Sequence, residues 1–100
     1  MMNLAERLKE EIPIVSVLRD YNIPVRQVSP TRGVCRIRST DKTPSCSIYF
    51  QKNTWYDYGM VKGGSVIDLC MFLEQCSPAQ AMKILSQRYQ ISGWKEPEAR

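Results

Sequence analysis

The chain has 100 residues and a mass of 11.6 kDa, enough for one hydrophobic core and not for two. Its hydrophobic content of 43% and charged content of 24% are those of a globular domain, and no apolar run reaches the ~18 residues of a membrane span. The net charge is +4, and the complete lack of histidine excludes a Ser-His-Asp triad, a histidine general base, a histidine-ligated metal and a histidine pH switch.

Residues 3–11 predict a short helix that Asn3 caps, with Leu4 and Leu8 on one face. Pro13 fits the first turn of a second helix carrying Ile14, Val17, Leu18 and Tyr21 on one side, and Asn22 with Pro24 ends it. From Val25 to Tyr58 the pattern changes. Short β-rich runs (VRQV, GVCRIR, CSIYF, TWYDY) alternate with turn clusters, which predicts a small antiparallel sheet of three or four strands. Ser65 caps a third helix together with Asp68, three residues on, and that helix runs to about Cys76. Ser77-Pro78 opens a fourth, with Ala81, Ile84, Leu85 and Tyr89 at helical spacing. The end, SGWKEPEAR, reads as a frayed tail against which Trp94 could pack. The fold class expected is α+β, a single domain over 1–92 followed by a tail over 93–100.

The charge is unevenly placed. Residues 21–62 hold seven basic side chains against Asp41 and Asp57, whereas the segments on either side are close to neutral. The same middle segment holds Tyr49, Phe50, Trp55, Tyr56 and Tyr58. Cations neutralise phosphates and rings stack on bases, so the mixture suits a nucleic-acid surface; it also suits a solvated sheet face over an aromatic core. The backbone-contact candidates are Arg26, Arg32, Arg36, Lys42, Lys52 and Lys62, and the stacking candidates are Tyr49, Trp55 and Tyr56. Lys42-Thr43-Pro44 is either a phosphate contact or a turn locked by Pro44, and Lys62-Gly63-Gly64-Ser65 either an anion site at a helix start or a capped glycine turn. The four cysteines, Cys35, Cys46, Cys70 and Cys76, form no C-x2-C pair, and the charged N-terminus lacks a signal core; reduced thiols in a cytoplasm are expected.

The stretch GVCRIRSTDKTPSCSIYF followed by WYDYGMVKGGSVIDL resembles the N-terminal, CHC-type zinc-binding domain of bacterial DnaG-like DNA primases. That family reads GLCPFH-DEKTPSFSV and then CFGCG-GGDVIDF, and the shared positions are Gly33, Cys35, Asp41, Lys42, Thr43, Pro44, Ser45, Gly59, Gly63, Gly64, Val66, Ile67 and Asp68. The resemblance covers about residues 4–76 and implies a sheet of zinc-ribbon type flanked by helices. The family's zinc ligands, however, fall on Cys35, Arg38, Asp57 and Met60. A guanidinium offers no lone pair and a thioether binds zinc poorly, so no metal and no other cofactor is expected. Arg38 and Asp57 are instead expected to form an ion pair across the former zinc position, with Cys35 and Met60 filling the rest; strand alternation would then take Arg36 inward with Arg38.

The resemblance implies a non-catalytic module that binds single-stranded template DNA for primer synthesis, of the kind a phage or mobile element carries. Its implied partners are single-stranded DNA and a primase catalytic domain or a helicase, and no membrane. A protein-interaction or scaffold module that has lost both zinc and DNA is the other function class left open.

Overall fold

The computed structural model describes residues 3–38 and 43–91. Helix α1 (Leu4–Glu11) starts where Asn3 and Glu6 cap each other's backbone amides, at 2.8 and 3.2 Å. Helix α2 (Ile14–Asp20) follows directly, with Pro13 at the N-cap just outside the helix rather than in its first turn. Strands β1 (Arg26–Gln27), β2 (Arg32–Cys35), β3 (Cys46–Tyr49), β4 (Thr54–Asp57) and β5 (Lys62–Gly64) form one antiparallel sheet in chain order. Helices α3 (Val66–Glu74) and α4 (Pro78–Arg88) complete the α+β fold, each opened by a serine capping box, Ser65 with Asp68 and Ser77 with Gln80.

The sheet has one strand more than the β-rich runs predict. Lys62-Gly63-Gly64 reads as a turn, but its backbone pairs with β4 through Tyr56↔Gly63 and Trp55↔Gly64. Glycine makes that pairing possible: a Cβ on Gly63 would overlap the Trp55 carbonyl oxygen, and Gly64 has φ +153.

Register assigns each side chain to a face. Gly33, Ile48 and Trp55 lie across from one another, as do Cys35, Cys46 and Asp57, and all six are buried. The opposite face carries Arg32 across from Tyr49, and Val34 across from Ser47 and Tyr56. The buried face and the helices share one hydrophobic cluster that includes Leu8, Leu18, Ile48, Trp55, Leu69 and Leu85. Burying each of these large side chains contributes about 1.5–3 kcal/mol, which makes that face the fold's main source of stability.

Two polar junctions lock the helices in place. Asn53, at φ 57 in the turn before β4, accepts the Ile14 amide at 2.8 Å and donates to the Lys9 and Ile12 carbonyls at 3.0 and 2.7 Å. It thereby joins the sheet to the α1–α2 corner. On the far side, the Tyr21 hydroxyl donates to Glu74 while Arg88 lies 5.1 Å above the Tyr21 ring, which links the C-terminal ends of α2, α3 and α4. Burial and the Glu74 contact push the Tyr21 pKa up to about 12.

Candidate functional site

The residues that fall on the family's ligand positions meet at one end of the sheet. Asp57, the last residue of β4, is completely buried. Its carboxylate accepts the Met60 amide at 2.9 Å, and the Ser45 hydroxyl lies 3.2 and 3.3 Å from its two oxygens. Arg38 Nη2 lies 3.9 Å from Asp57 Oδ1. These groups come from the segment after β2, the segment before β3 and the turn after β4. One carboxylate therefore gathers three chain segments. A metal ion does the same by accepting electron pairs; Asp57 does it by accepting hydrogen bonds, which are strengthened by its charge. Gly59 belongs to this corner too, because a Cβ there would overlap Arg38 Nη2.

Cys35 and Cys46 lie directly opposite one another beside Asp57, both buried. The contact with Cys35, burial and the negative Asp57 all push the Cys46 thiol pKa up, so it stays protonated. Met60 is half-buried and packs against the core. Zinc does not fit this donor set. It needs about four S, N or O donors in a tetrahedron, with its thiol ligands deprotonated. Here a guanidinium occupies one of the positions, a thioether another, and the Asp57 oxygens already accept hydrogen bonds. Among the described residues, no three Cys, Asp or Glu side chains are placed to hold a metal ion.

The candidate nucleic-acid residues divide by face. Arg26 is exposed on β1 across from Val34, and Arg32 crosses the same outward face to donate to Ser47 Oγ at 2.9 Å. Tyr49, Tyr56 and Tyr58 continue this surface. The Tyr49 and Tyr58 hydroxyls are 3.1 Å apart, and the Tyr56 and Tyr58 rings meet edge to face at 4.9 Å. Tyr58 is 60% exposed. Sequence reasoning did not select Tyr58 as a stacking candidate, although the alternation in TWYDY puts it on the same side as Tyr56.

Two expectations need correction. Trp55 is not a stacking platform: it is 2% exposed, packs near Phe72 at 6.4 Å and donates its indole N–H to the Ser65 carbonyl at 3.0 Å. A strand residue facing the helices has no route to solvent, whatever its type. Arg36 does not follow Arg38 inward. The strand ends at Cys35, Arg36 is exposed and Ile37 is buried, and Arg38 reaches Asp57 by the length of its own side chain. Of the two readings of the start of α3, the structure has the serine cap: the Asp68 carboxylate accepts the Ser65 amide at 2.9 Å. Lys52 and Lys62 are both exposed, but they sit at opposite ends of β4. Asp41, Lys42 and Trp94 lie outside the described residues, whereas Thr43 and Pro44 are exposed.

The turn between β4 and β5 has one further peculiarity. Val61 has φ 53 and is 74% exposed. A β-branched residue in the left-handed region is strained, and here its side chain gains no burial in return.

Comparison with known proteins agrees with this architecture. The family model described as CHC2 zinc finger, the zinc ribbon of DnaG, matches residues 1–99. A DNA primase of Borreliella burgdorferi is 31% identical over 81 residues, 81% of this chain and 15% of that protein. A DNA primase of Synechocystis is 29% identical over 86 residues, 86% of this chain and 13% of that protein. The crystal structure of the zinc-binding and RNA polymerase domains of the Aquifex aeolicus primase superposes with a TM-score of 0.76 at 27% identity, over 90% of this chain and 22% of that one. The chain thus spans only a small part of the curated primases it matches.

Proposed function

Because this chain belongs to the CHC2 zinc-finger family of DnaG primases, we propose that it is a non-catalytic primase module that binds single-stranded template DNA through the outward face of its sheet and folds without zinc. The observation that carries this reading is the gathering on one surface of Arg26 and Arg32 with Tyr49, Tyr56 and Tyr58. Arginines in such a position neutralise phosphates, and the exposed Tyr58 ring offers a face on which a base stacks, worth about 1–3 kcal/mol. Arg36 extends the basic surface, Lys52 and Lys62 add positive charge at opposite ends of β4, and Lys42 lies outside the described residues. Any polymerising activity would come from a separate primase catalytic domain, and a helicase is the other partner expected.

Titrating a labelled oligothymidylate at several salt concentrations tests the reading. Three arginine contacts give a log–log salt slope of about −2, and reversing Arg26 and Arg36 together flattens it by about 1.4. Tyr58→Ala weakens binding about tenfold without changing the slope. A flat slope in the unaltered chain would reject the DNA reading. The metal-free reading is tested separately: the purified chain holds no stoichiometric zinc by elemental analysis, and its melting temperature does not move in EDTA. One zinc per chain, or loss of structure in chelator, would reject it.

A further inference from the structure

Among the described residues, β1 has no strand on its far side. The Val28 amide donates to the Arg32 carbonyl at 3.0 Å, so antiparallel alternation directs the Arg26 backbone groups towards β2. The N–H and C=O groups of Val25 and Gln27 then face away from the sheet, along its open edge. Directly beside that edge, between α2 and β1, is a groove of about 870 Å³. Val15, Ile23, Pro24, Val25 and Phe50 give it apolar walls, Arg19 stands at its rim, and among the described residues no carboxylate lines it.

We propose that this edge docks an extended peptide of a partner protein in which acidic and apolar residues alternate. The backbone groups of Val25 and Gln27 call for an extended strand, since only that conformation presents a matching row of amides and carbonyls. Strand parity then dictates the side chains. Positions on the buried side, level with Gln27 and Gly33, project into the apolar groove. Positions on the outward side lie beside the exposed Arg26, while Arg19, on the groove side, adds a second positive charge at the groove's margin. An apolar residue fits the first set and a carboxylate the second. A two-residue edge offers few hydrogen bonds, so affinity depends on the groove and specificity on the two arginines. The groove is separate from the Tyr56–Tyr58 surface, although Arg26 belongs to both sites, and the inference does not rest on DNA binding.

The test uses the full chain and a fluorescein-labelled octapeptide alternating Asp and Val, with a Lys–Val octapeptide as control. The acidic peptide binds at least about tenfold more tightly than the basic one. N-methylation of one alternating set of its amides abolishes binding, and methylation of the other set leaves it intact. Val15→Glu weakens the complex about tenfold, and the exposed-site variant Arg19→Glu shifts preference towards the basic peptide, while both variants keep the oligothymidylate affinity and circular dichroism of the unaltered chain. Equal tolerance of the two methylation patterns, absence of binding at millimolar chain, or indifference to both variants would overturn the proposal. A dimer in sedimentation that Val15→Glu dissociates would reassign the edge to a second copy, and displacement of the probe by a synthetic 92–100 peptide would reassign it to the chain's own end.

Discussion

Strand β4 is anchored at each end by one polar side chain, and the two anchors work by different physics. Asn53, just before the strand, makes one accepting and two donating bonds to the α1–α2 corner, so both N–H donors and the carbonyl of a neutral amide are engaged and no charge is buried. Asp57, at the other end, is buried as an acid that accepts from Ser45 and Met60 and lies 3.9 Å from Arg38. An amide suits a junction where carbonyls and an amide converge. A carboxylate suits one where only donors converge, and it brings with it the need for compensating charge. At the Asp57 end the carboxylate draws Ser45, Met60 and Arg38 together, whereas the Asn53 end joins the sheet to the helices without any charge.

The largest effect expected is at the charged end. Asp57→Ala should cost about 3–5 kcal/mol in urea unfolding, because the part-buried Ser45 and Met60 donors lose their acceptor together and a fully buried side chain is removed. Arg38→Ala should cost less, about 1–3 kcal/mol, since the pair is long and the arginine 33% exposed, but the fully buried Asp57 then loses its nearby positive charge. Arg38→Met combined with Asp57→Leu should recover part of the Asp57 loss, and a strictly additive double-mutant cycle would remove the ion pair from the account. Equal costs for the two single changes would show that charge pairing, and not the donor cluster, holds this corner.

At the neutral end, Asn53→Ala should cost about 2–4 kcal/mol by leaving the Ile14 amide and two carbonyls without their partner. Asn53→Gly relieves the positive φ but restores no bond, and should therefore lie about 1 kcal/mol above Asn53→Ala in stability. If the two variants were equally stable, backbone strain would play no part in this anchor.

Smaller effects are expected in the β4–β5 turn. Gly59→Ala pushes the Arg38 guanidinium away and should cost about 1 kcal/mol, with little further loss when it is added to Arg38→Ala. Full additivity of that pair would mean that Gly59 does something other than make room for Arg38. Val61→Gly should raise stability by about 0.5–1 kcal/mol, because glycine adopts the left-handed backbone without strain. The motif CFGCG of the resembled family has glycine at this place, so a destabilised Val61→Gly chain would show that the turn no longer keeps the conformation that motif suits.

Much of the fold was legible in local chemistry. Asn3 with Glu6, Ser65 with Asp68 and Ser77 with Gln80 each mark a helix start within four residues, and all three caps form. The register of β2, β3 and β4 follows the alternation of GVC, CSIY and TWYD. The Asp57 corner was half legible. The spacing of the resembled motif picked out Arg38 and Asp57, but the motif's own serine, Ser45, gave no hint that it would hold the carboxylate. Asn53 gave no signal, because its partners are 39 to 44 residues away in the chain.

By itself, then, the sequence determined the helix starts, the antiparallel ribbon, the basic and aromatic character of the middle segment and the departure from the resembled motif at Arg38, Asp57 and Met60. Those properties depend on neighbours within a few residues or on the spacing of a motif. Tertiary structure alone decided that Trp55 belongs to the core and Tyr58 to the surface, that Lys62-Gly63-Gly64 is a strand, and that Arg36 faces water instead of turning inward with Arg38. Each of these turns on what a distant element presses against a residue: α3 against Trp55, β4 against Gly63, and the open space above Gly59 into which a long side chain can fold.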